Sequence, residues 1–346
     1  MGVVEISPDG VRLVLSEAEG LTASYDSLMN RKPAATAILI AIVGPTASGK
    51  SSLALSLAQR FGGEIVNCDS LQLYHYLDIG TAKPSLAERA SVPHHLLDIL
   101  EPEEQFSAGE YARRGRAILA EITERGRLPI VVGGTGFYLR ALIEGLFAGP
   151  SRHPELRKRL RERETKKGPG YAHRILTRLD PESATRIHPN DLPKTIRALE
   201  VCLLARNRMS ELFRQGREPL QGYTVRKIGL NPPRTELYER INQRTQAMFD
   251  QGLVNEVSDL LARGCPAAAP PLQSHGYRQA LDSLLGKISL RDAIRYAQAA
   301  TRQYGKRQIT WFRKESGLVW FAGFGDDAGV QEQVCRAIAE GLAQPE

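Results

Sequence analysis

The chain has 346 residues, 42% hydrophobic and 25% charged. This excludes a disordered, collagen-like or coiled-coil chain and allows about two domains around a sizeable core. The longest purely apolar run, Ala37 to Val43, is far short of the ~20 residues a membrane helix needs, and Glu5, Asp9, Glu17 and Glu19 interrupt any secretory signal, so no membrane partner is expected. The net charge is +7, and Cys68, Cys202, Cys265 and Cys335 are widely spaced with no CxxC pair. Neither a disulfide framework nor a zinc site is expected, and a reducing cytoplasm fits.

Residues 1–36 are polar and without sustained periodicity, and are read as a flexible extension. Ile38-Leu39-Ile40-Ala41-Ile42-Val43 then has the pattern of a strand buried on both faces. A glycine-bearing loop leads into a helix with Leu53, Leu57 and Phe61 on one face, stopped by Gly62-Gly63. Glu64 to Cys68 reads as a second strand. Ser107-x-x-Glu110 has the spacing of a capping box opening a helix to about Arg125, and Leu128 to Val132 is another buried strand. From about Ser151 to Tyr223 the strands disappear, and Asp191 is a plausible N-cap ahead of Pro193. Helices near 235–263 and 289–305, with weaker strands at Lys227 to Leu230 and Leu318 to Phe321, return the chain to the core. The alternation predicts an α/β fold, a P-loop NTPase-like parallel sheet with flanking helices and a helical insertion domain. The expected organisation is an extension 1–36, a core 37–150, a basic helical insertion 151–224, core again over 225–322, and a C-terminal helix within 323–346.

Gly44-Pro45-Thr46-Ala47-Ser48-Gly49-Lys50-Ser51 matches G-x-x-x-x-G-K-[ST] between a predicted strand and a predicted helix. Such a loop turns several N–H groups toward one anion at a helix N-terminus. Lys50 adds a point charge and Ser51 a hydroxyl for Mg²⁺. The motif leaves open whether ATP or the diphosphate of another carrier occupies it. The strand Leu128 to Val132 ends in Gly133-Gly134-Thr135-Gly136 without the usual carboxylate for Mg²⁺, and Asp69 and Asp98 are the nearest substitutes.

Asp69 follows the second strand at its C-terminal end, where ligands bind in open α/β sheets. A general base, a metal ligand or a turn-capping side chain would each suit it. Arg244 shares a helix face with Leu237, Ile241 and Met248, so it needs an anionic partner, either a structural carboxylate or the phosphates beside Lys50. Residues 151–167 hold eight basic against three acidic side chains. Arg302 to Lys314 interleaves Arg302, Lys306, Arg307, Arg313 and Lys314 with Tyr304, Trp311 and Phe312. Cations with rings suit single-stranded RNA, although a charge run alone also describes a solvated helix face. The histidines show no metal-ligand spacing.

Several separated motifs together resemble the bacterial tRNA dimethylallyltransferases. They are the phosphate loop, Cys68-Asp69-Ser70-Leu71-Gln72-Leu73-Tyr74, Asp78-Ile79-Gly80-Thr81-Ala82-Lys83-Pro84, Val132-Gly133-Gly134-Thr135-Gly136-Phe137-Tyr138, Arg186 to Asp191, His275 to Arg278 and Lys306 to Trp311. The likeness covers about residues 37–322. It implies transfer of a dimethylallyl group from dimethylallyl diphosphate to N6 of adenosine 37 of tRNA, with Mg²⁺; a cytoplasmic monomer is expected. Gly44 to Ser51 would then hold the diphosphate and Asp69 would be the general base. Thr135 would lie near the departing oxygen and Arg244 would clamp the diphosphate. Stretches matching tRNA contacts are Asp69-Ser70-Leu71-Gln72, Arg157, Pro193-Lys194-Thr195-Ile196-Arg197, Gln273-Ser274-His275-Gly276-Tyr277-Arg278 and Lys306-Arg307-Gln308-Ile309-Thr310-Trp311-Phe312-Arg313. An adenylate isopentenyltransferase shares the phosphate loop and the aspartate but does not need the basic stretches, and a P-loop small-molecule kinase would use Asp69 as base for a hydroxyl. A non-enzymatic RNA-binding nucleotide switch would bind without turnover.

Overall fold

The computed structural model describes residues 4–7, 10–13 and 36–340. The chain divides into two compact units, 1–37 with 222–224 and 38–221 with 225–346. In the first unit, β1 (Val4–Ser7) and β2 (Gly10–Leu13) pair antiparallel with Val4 opposite Leu13. The sequence pattern placed no strands there. The rest of the flexible extension expected before residue 36 lies outside the described residues, as do residues 341–346 at the other end.

The second unit is built on a sheet of β3 (Ala37–Val43), β4 (Gly63–Asn67), β5 (His94–His95), β6 (Leu128–Val132), β7 (Tyr223–Asn231) and β8 (Leu318–Ala322). The order is β5-β4-β6-β3-β7-β8. The β4/β5, β4/β6, β3/β6 and β7/β8 pairs are parallel. β3 reads as an unbroken aliphatic run because Leu39 to Val43 are buried, and helices cover the sheet. Ile40 and Ile42 pack with Leu53 and Leu57 of the helix Lys50–Phe61, with Ile65, Ile130 and Ile228 of neighbouring strands, and with Val330 and Val334 of the helix Ala328–Ala339. The terminal helix thus completes the core under the phosphate loop.

Local signals behave mostly as expected. The helix Lys50–Phe61 ends on Gly62 in the left-handed region. Ser107 accepts from the Glu110 N–H and opens the helix Ala108–Glu124. Glu110, however, turns its carboxylate to Arg113 and Arg114 instead of back to Ser107, so only half of the capping box is made. Asp191 caps the helix Leu192–Ala205. The helical insertion comprises Pro154–Lys167, Tyr171–Leu179, Pro181–Arg186, Leu192–Ala205 and Met209–Arg214. It has its own core of Leu160, Leu176, Ile187, Ile196 and Leu199. The helices expected near 235–263 are Arg234–Asp250 and Leu253–Ala262, separated at Gly252 with φ 102°. The helix expected to end near 305 continues as Leu290–Phe312, which puts the basic-aromatic stretch on its last turns.

Candidate active site

The ends of β3, β4 and β6 converge on one edge of the sheet, and each delivers a loop of the site. β3 runs into Gly44 to Ser51, which closes on the helix Lys50–Phe61. Gly49 has φ 80°, and a Cβ there would stand 2.7 Å from Asp326 Oδ1 and from the Gly325 nitrogen. No larger residue fits. The Gly325 N–H in turn donates to the Ser48 carbonyl at 2.9 Å. Ser48 is fully buried, and its hydroxyl has no hydrogen-bond partner. A buried orphan hydroxyl inside a phosphate loop is a group that a bound anion would satisfy. Lys50 Nζ donates to the Pro45 carbonyl at 2.6 Å. Its surroundings desolvate the ammonium, and with the charge of Arg244 they pull its pKa down to about 7 against the opposing effect of Asp69.

Asp69 follows β4. Its backbone N–H donates to Asn67 Oδ1, and its own Oδ1 accepts from the Leu71 N–H at 2.9 Å. Turn capping therefore occupies one carboxylate oxygen, and Oδ2 has no hydrogen-bond partner among the described residues. Thr135, after β6, accepts from the Ser70 N–H at 3.1 Å and donates its own N–H to the Cys68 carbonyl. The β4 and β6 loops are thus tied together. Asp98, the other carboxylate considered for the phosphate end, is held by Lys83 at 2.6 Å and Arg89 at 2.7 Å.

Two chambers meet at these loops. One, of about 240 Å³, is lined by Thr46 to Ser52 with Asp69, Gly133, Gly134 and Arg244. The other, of about 200 Å³, is lined by Leu71, Met248, Leu253, His275 and Tyr304. Thr46, Asp69, Thr81 and Arg244 line both. Arg244 Nη2 donates to Thr46 Oγ1. No carboxylate pairs with Arg244 among the described residues, so the structural-carboxylate alternative is not realised. In the second chamber the His275 and Tyr304 rings lie 4.4 Å apart. Burial lowers the His275 pKa against the pull of Asp69, and burial and then Asp69 raise that of Tyr304. Both groups are thereby kept neutral beside the carboxylate. Ser51 sits in the first helical turn on the first chamber. No group of three or more His, Cys, Asp or Glu side chains able to hold a metal occurs among the described residues.

The stretches expected to meet RNA divide by burial. Lys306, Arg307, Thr310 and Arg313 are exposed on the last turns of the helix Leu290–Phe312, and Pro193, Lys194, Gln273 and Arg278 are exposed elsewhere. Ser70, Leu71, Ser274, His275 and Gly276 line the second chamber. Gln72 donates to the Thr81 carbonyl. Thr195, Ile196, Tyr277, Gln308 and Phe312 are buried, so their side chains face protein. Ile309 is half-buried, and the Trp311 ring lies under Arg140 at 4.6 Å. Arg157 and Arg197 both bind the fully buried Glu200, at 2.7 and 2.6 Å. Burial alone would raise the Glu200 pKa, but these arginines and the His153 N–H hold it at about 2.

Sequence reasoning missed two groups that shape the site. Glu256 accepts from the Asp78, Ile79 and Gly80 N–H groups and from the Tyr277 hydroxyl, fixing the loop that carries Thr81. Arg240, one turn before Arg244, pairs with Asp326 behind the phosphate loop at 2.6 Å. Tyr304, read with the basic-aromatic stretch, walls the second chamber. The Asp78-Ile79-Gly80-Thr81 motif was the one available hint, because it pointed to a shaped loop.

The chain is similar to several known proteins. Residues 72–315 match the IPP transferase family. A tRNA dimethylallyltransferase of Koribacter versatilis is 56% identical over 301 residues, covering 87% of this chain and 98% of the relative. The crystal structure of a tRNA isopentenylpyrophosphate transferase from Bacillus halodurans superposes with TM-score 0.65 at 38% identity, covering 88% of this chain and 96% of the other. A eukaryotic dimethylallyltransferase described as acting on tRNA gives TM-score 0.76 at 27% identity over 89% of this chain and 80% of its own. With a P-loop-like parallel sheet and this breadth of similarity, the chain belongs to the IPP transferase family of prenyl-transferring enzymes.

Proposed function

We propose that the chain transfers the dimethylallyl group of dimethylallyl diphosphate to N6 of adenosine 37, 3′ of the anticodon of tRNA. The observation that carries this reading is the shared wall of the two chambers. Asp69 and Arg244 face both the phosphate loop and the cavity of Leu71, Met248, Leu253, His275 and Tyr304. The first chamber suits a diphosphate. The second suits an apolar allyl group and a planar base extruded from an RNA loop.

In the reaction the allylic C–O bond breaks as the C–N6 bond forms. The diphosphate leaves with the electron pair, and the N6 proton passes to Asp69. The N6 lone pair is delocalised into the purine, so nitrogen is a poor nucleophile unless that proton departs. Asp69 Oδ2 is the available acceptor, while Oδ1 keeps the carboxylate oriented through the Leu71 N–H. Lys50, Arg244 and the orphan Ser48 hydroxyl stabilise charge growing on the diphosphate. Thr135 holds Ser70 and the turn around Asp69 in place. Mg²⁺ keeps several waters and takes few protein ligands, and the Ser51 hydroxyl together with diphosphate oxygens fits that donor set. Bound there, it would supply charge neutralisation of the leaving group. The exposed cations Lys306, Arg307 and Arg313 bind the RNA backbone.

The test is incubation of the full chain with labelled dimethylallyl diphosphate and unmodified tRNA, followed by nucleoside analysis. The expected outcome is label on N6 of adenosine 37 with equimolar diphosphate release. Label on free adenine nucleotides instead, or ADP formed from added ATP, would refute the reading.

A further inference from the structure

We propose that Gln308 is a positioning residue of the diphosphate site, holding the phosphate loop through Thr46 and Gly134, and not a contact for RNA. The inference rests on the assignment of diphosphate to the phosphate loop.

The helix Leu290–Phe312 has two faces over its last turns. Lys306, Arg307 and Thr310 are exposed and line an open cleft with Arg140 and Trp311. Gly305, Gln308 and Phe312, at helical spacing, are buried. At Gly305 the helix lies against the phosphate loop: a Cβ there would reach Pro45 and Thr46 side-chain carbons at 3.8 and 3.9 Å.

One turn on, the Gln308 amide uses both its ends. Oε1 accepts from the Thr46 N–H at 2.7 Å, and Nε2 donates to the Gly134 carbonyl at 3.0 Å. These partners lie on the loops after β3 and β6, so a single side chain fixes the spacing of two loops of the phosphate chamber. Gly134 has no room for a Cβ, which would collide with Gln308 Nε2. Thr46 is also held from its other side, by Arg244 on its hydroxyl. Gln308 therefore sets the backbone from which Arg244 takes its orientation.

An amide meets both demands, because one loop presents a donor and the other an acceptor. A carboxylate would turn an acceptor toward the Gly134 carbonyl, and an aliphatic side chain would leave a buried N–H and a buried C=O unpaired. With 5% of its surface exposed and both amide ends engaged within the protein, Gln308 presents almost no surface to a nucleotide.

The experiment compares the unsubstituted chain with Gln308→Leu, Gln308→Glu and Gly134→Ala. The last displaces the amide without altering it. Binding of inorganic diphosphate is measured by calorimetry and binding of tRNA by filter retention. KM and kcat are measured with dimethylallyl diphosphate. Diphosphate affinity should fall about tenfold in each variant, the KM for the diphosphate substrate should rise in parallel, and tRNA affinity should stay within about twofold. Unchanged or tighter diphosphate binding in folded variants overturns the proposal. So does a loss of tRNA affinity with diphosphate binding intact, which would return Gln308 to the RNA surface. If the unsubstituted chain binds diphosphate and the variants bind it equally, this inference alone falls. If the unsubstituted chain binds none, the assignment of the phosphate loop falls with it.

Discussion

Lys50 should make diphosphate binding depend on pH in a way that can be calculated. Burial, and then the Arg244 charge, bring its pKa from 10.5 down to about 7. A diphosphate beside Nζ favours the charged form and raises the pKa again. Below about pH 7 the ammonium is charged both with and without ligand, so Lys50 contributes no pH dependence. Above about pH 7 the free protein loses the proton and the complex keeps it, so binding takes up as much as one proton. Affinity then falls by up to about tenfold per pH unit. Folding follows the opposite sign: between about 7 and 10.5 the unfolded chain binds this proton and the native chain does not, so the Lys50 contribution to stability improves as pH rises. Lys50→Arg keeps its charge throughout and should abolish the proton uptake while retaining binding below about pH 7. Calorimetry of inorganic diphosphate in buffers of differing ionisation enthalpy reads the protons directly, and the arginine variant subtracts the titration of diphosphate itself. Equal proton uptake by the two proteins would refute the reasoning.

Asp69→Asn preserves an acceptor for the Leu71 N–H and removes the proton acceptor. Transfer should fall by about a hundredfold or more with tRNA affinity within a few-fold, and near-native turnover would remove the base assignment. Glu200→Gln leaves Arg157 and Arg197 without a buried charge to meet, and should cost about 3 kcal/mol in urea unfolding. Because Glu200 is held at about 2, below its ordinary 4.5, its contribution is full above about pH 4.5 and is lost as pH falls toward about 2. An unchanged unfolding midpoint would show that the triad contributes nothing to stability.

What could be read along the chain were the features written in consecutive residues. β3 is legible because a strand covered on both faces must be apolar at every position, and Ala37 to Val43 is. The phosphate loop is legible because eight neighbouring residues shape one turn. Ser107 and Asp191 cap helices whose N–H groups lie three residues away. β5 escaped notice because two residues carry no period. The site itself could be anticipated only in pieces. Which partner a side chain takes depends on packing between segments far apart in the chain. Asp69 shares a chamber wall with Arg244, and Gln308 meets Thr46 and Gly134. Arg157 and Gln308 belong to stretches that look like RNA-facing cations and rings, but helical rotation turned Gln308 inward and Glu200 claimed Arg157. Local backbone preference selects strands and turns from short windows of sequence. The direction a side chain faces on a helix, and the charge it meets there, are decided when the helices dock on the sheet.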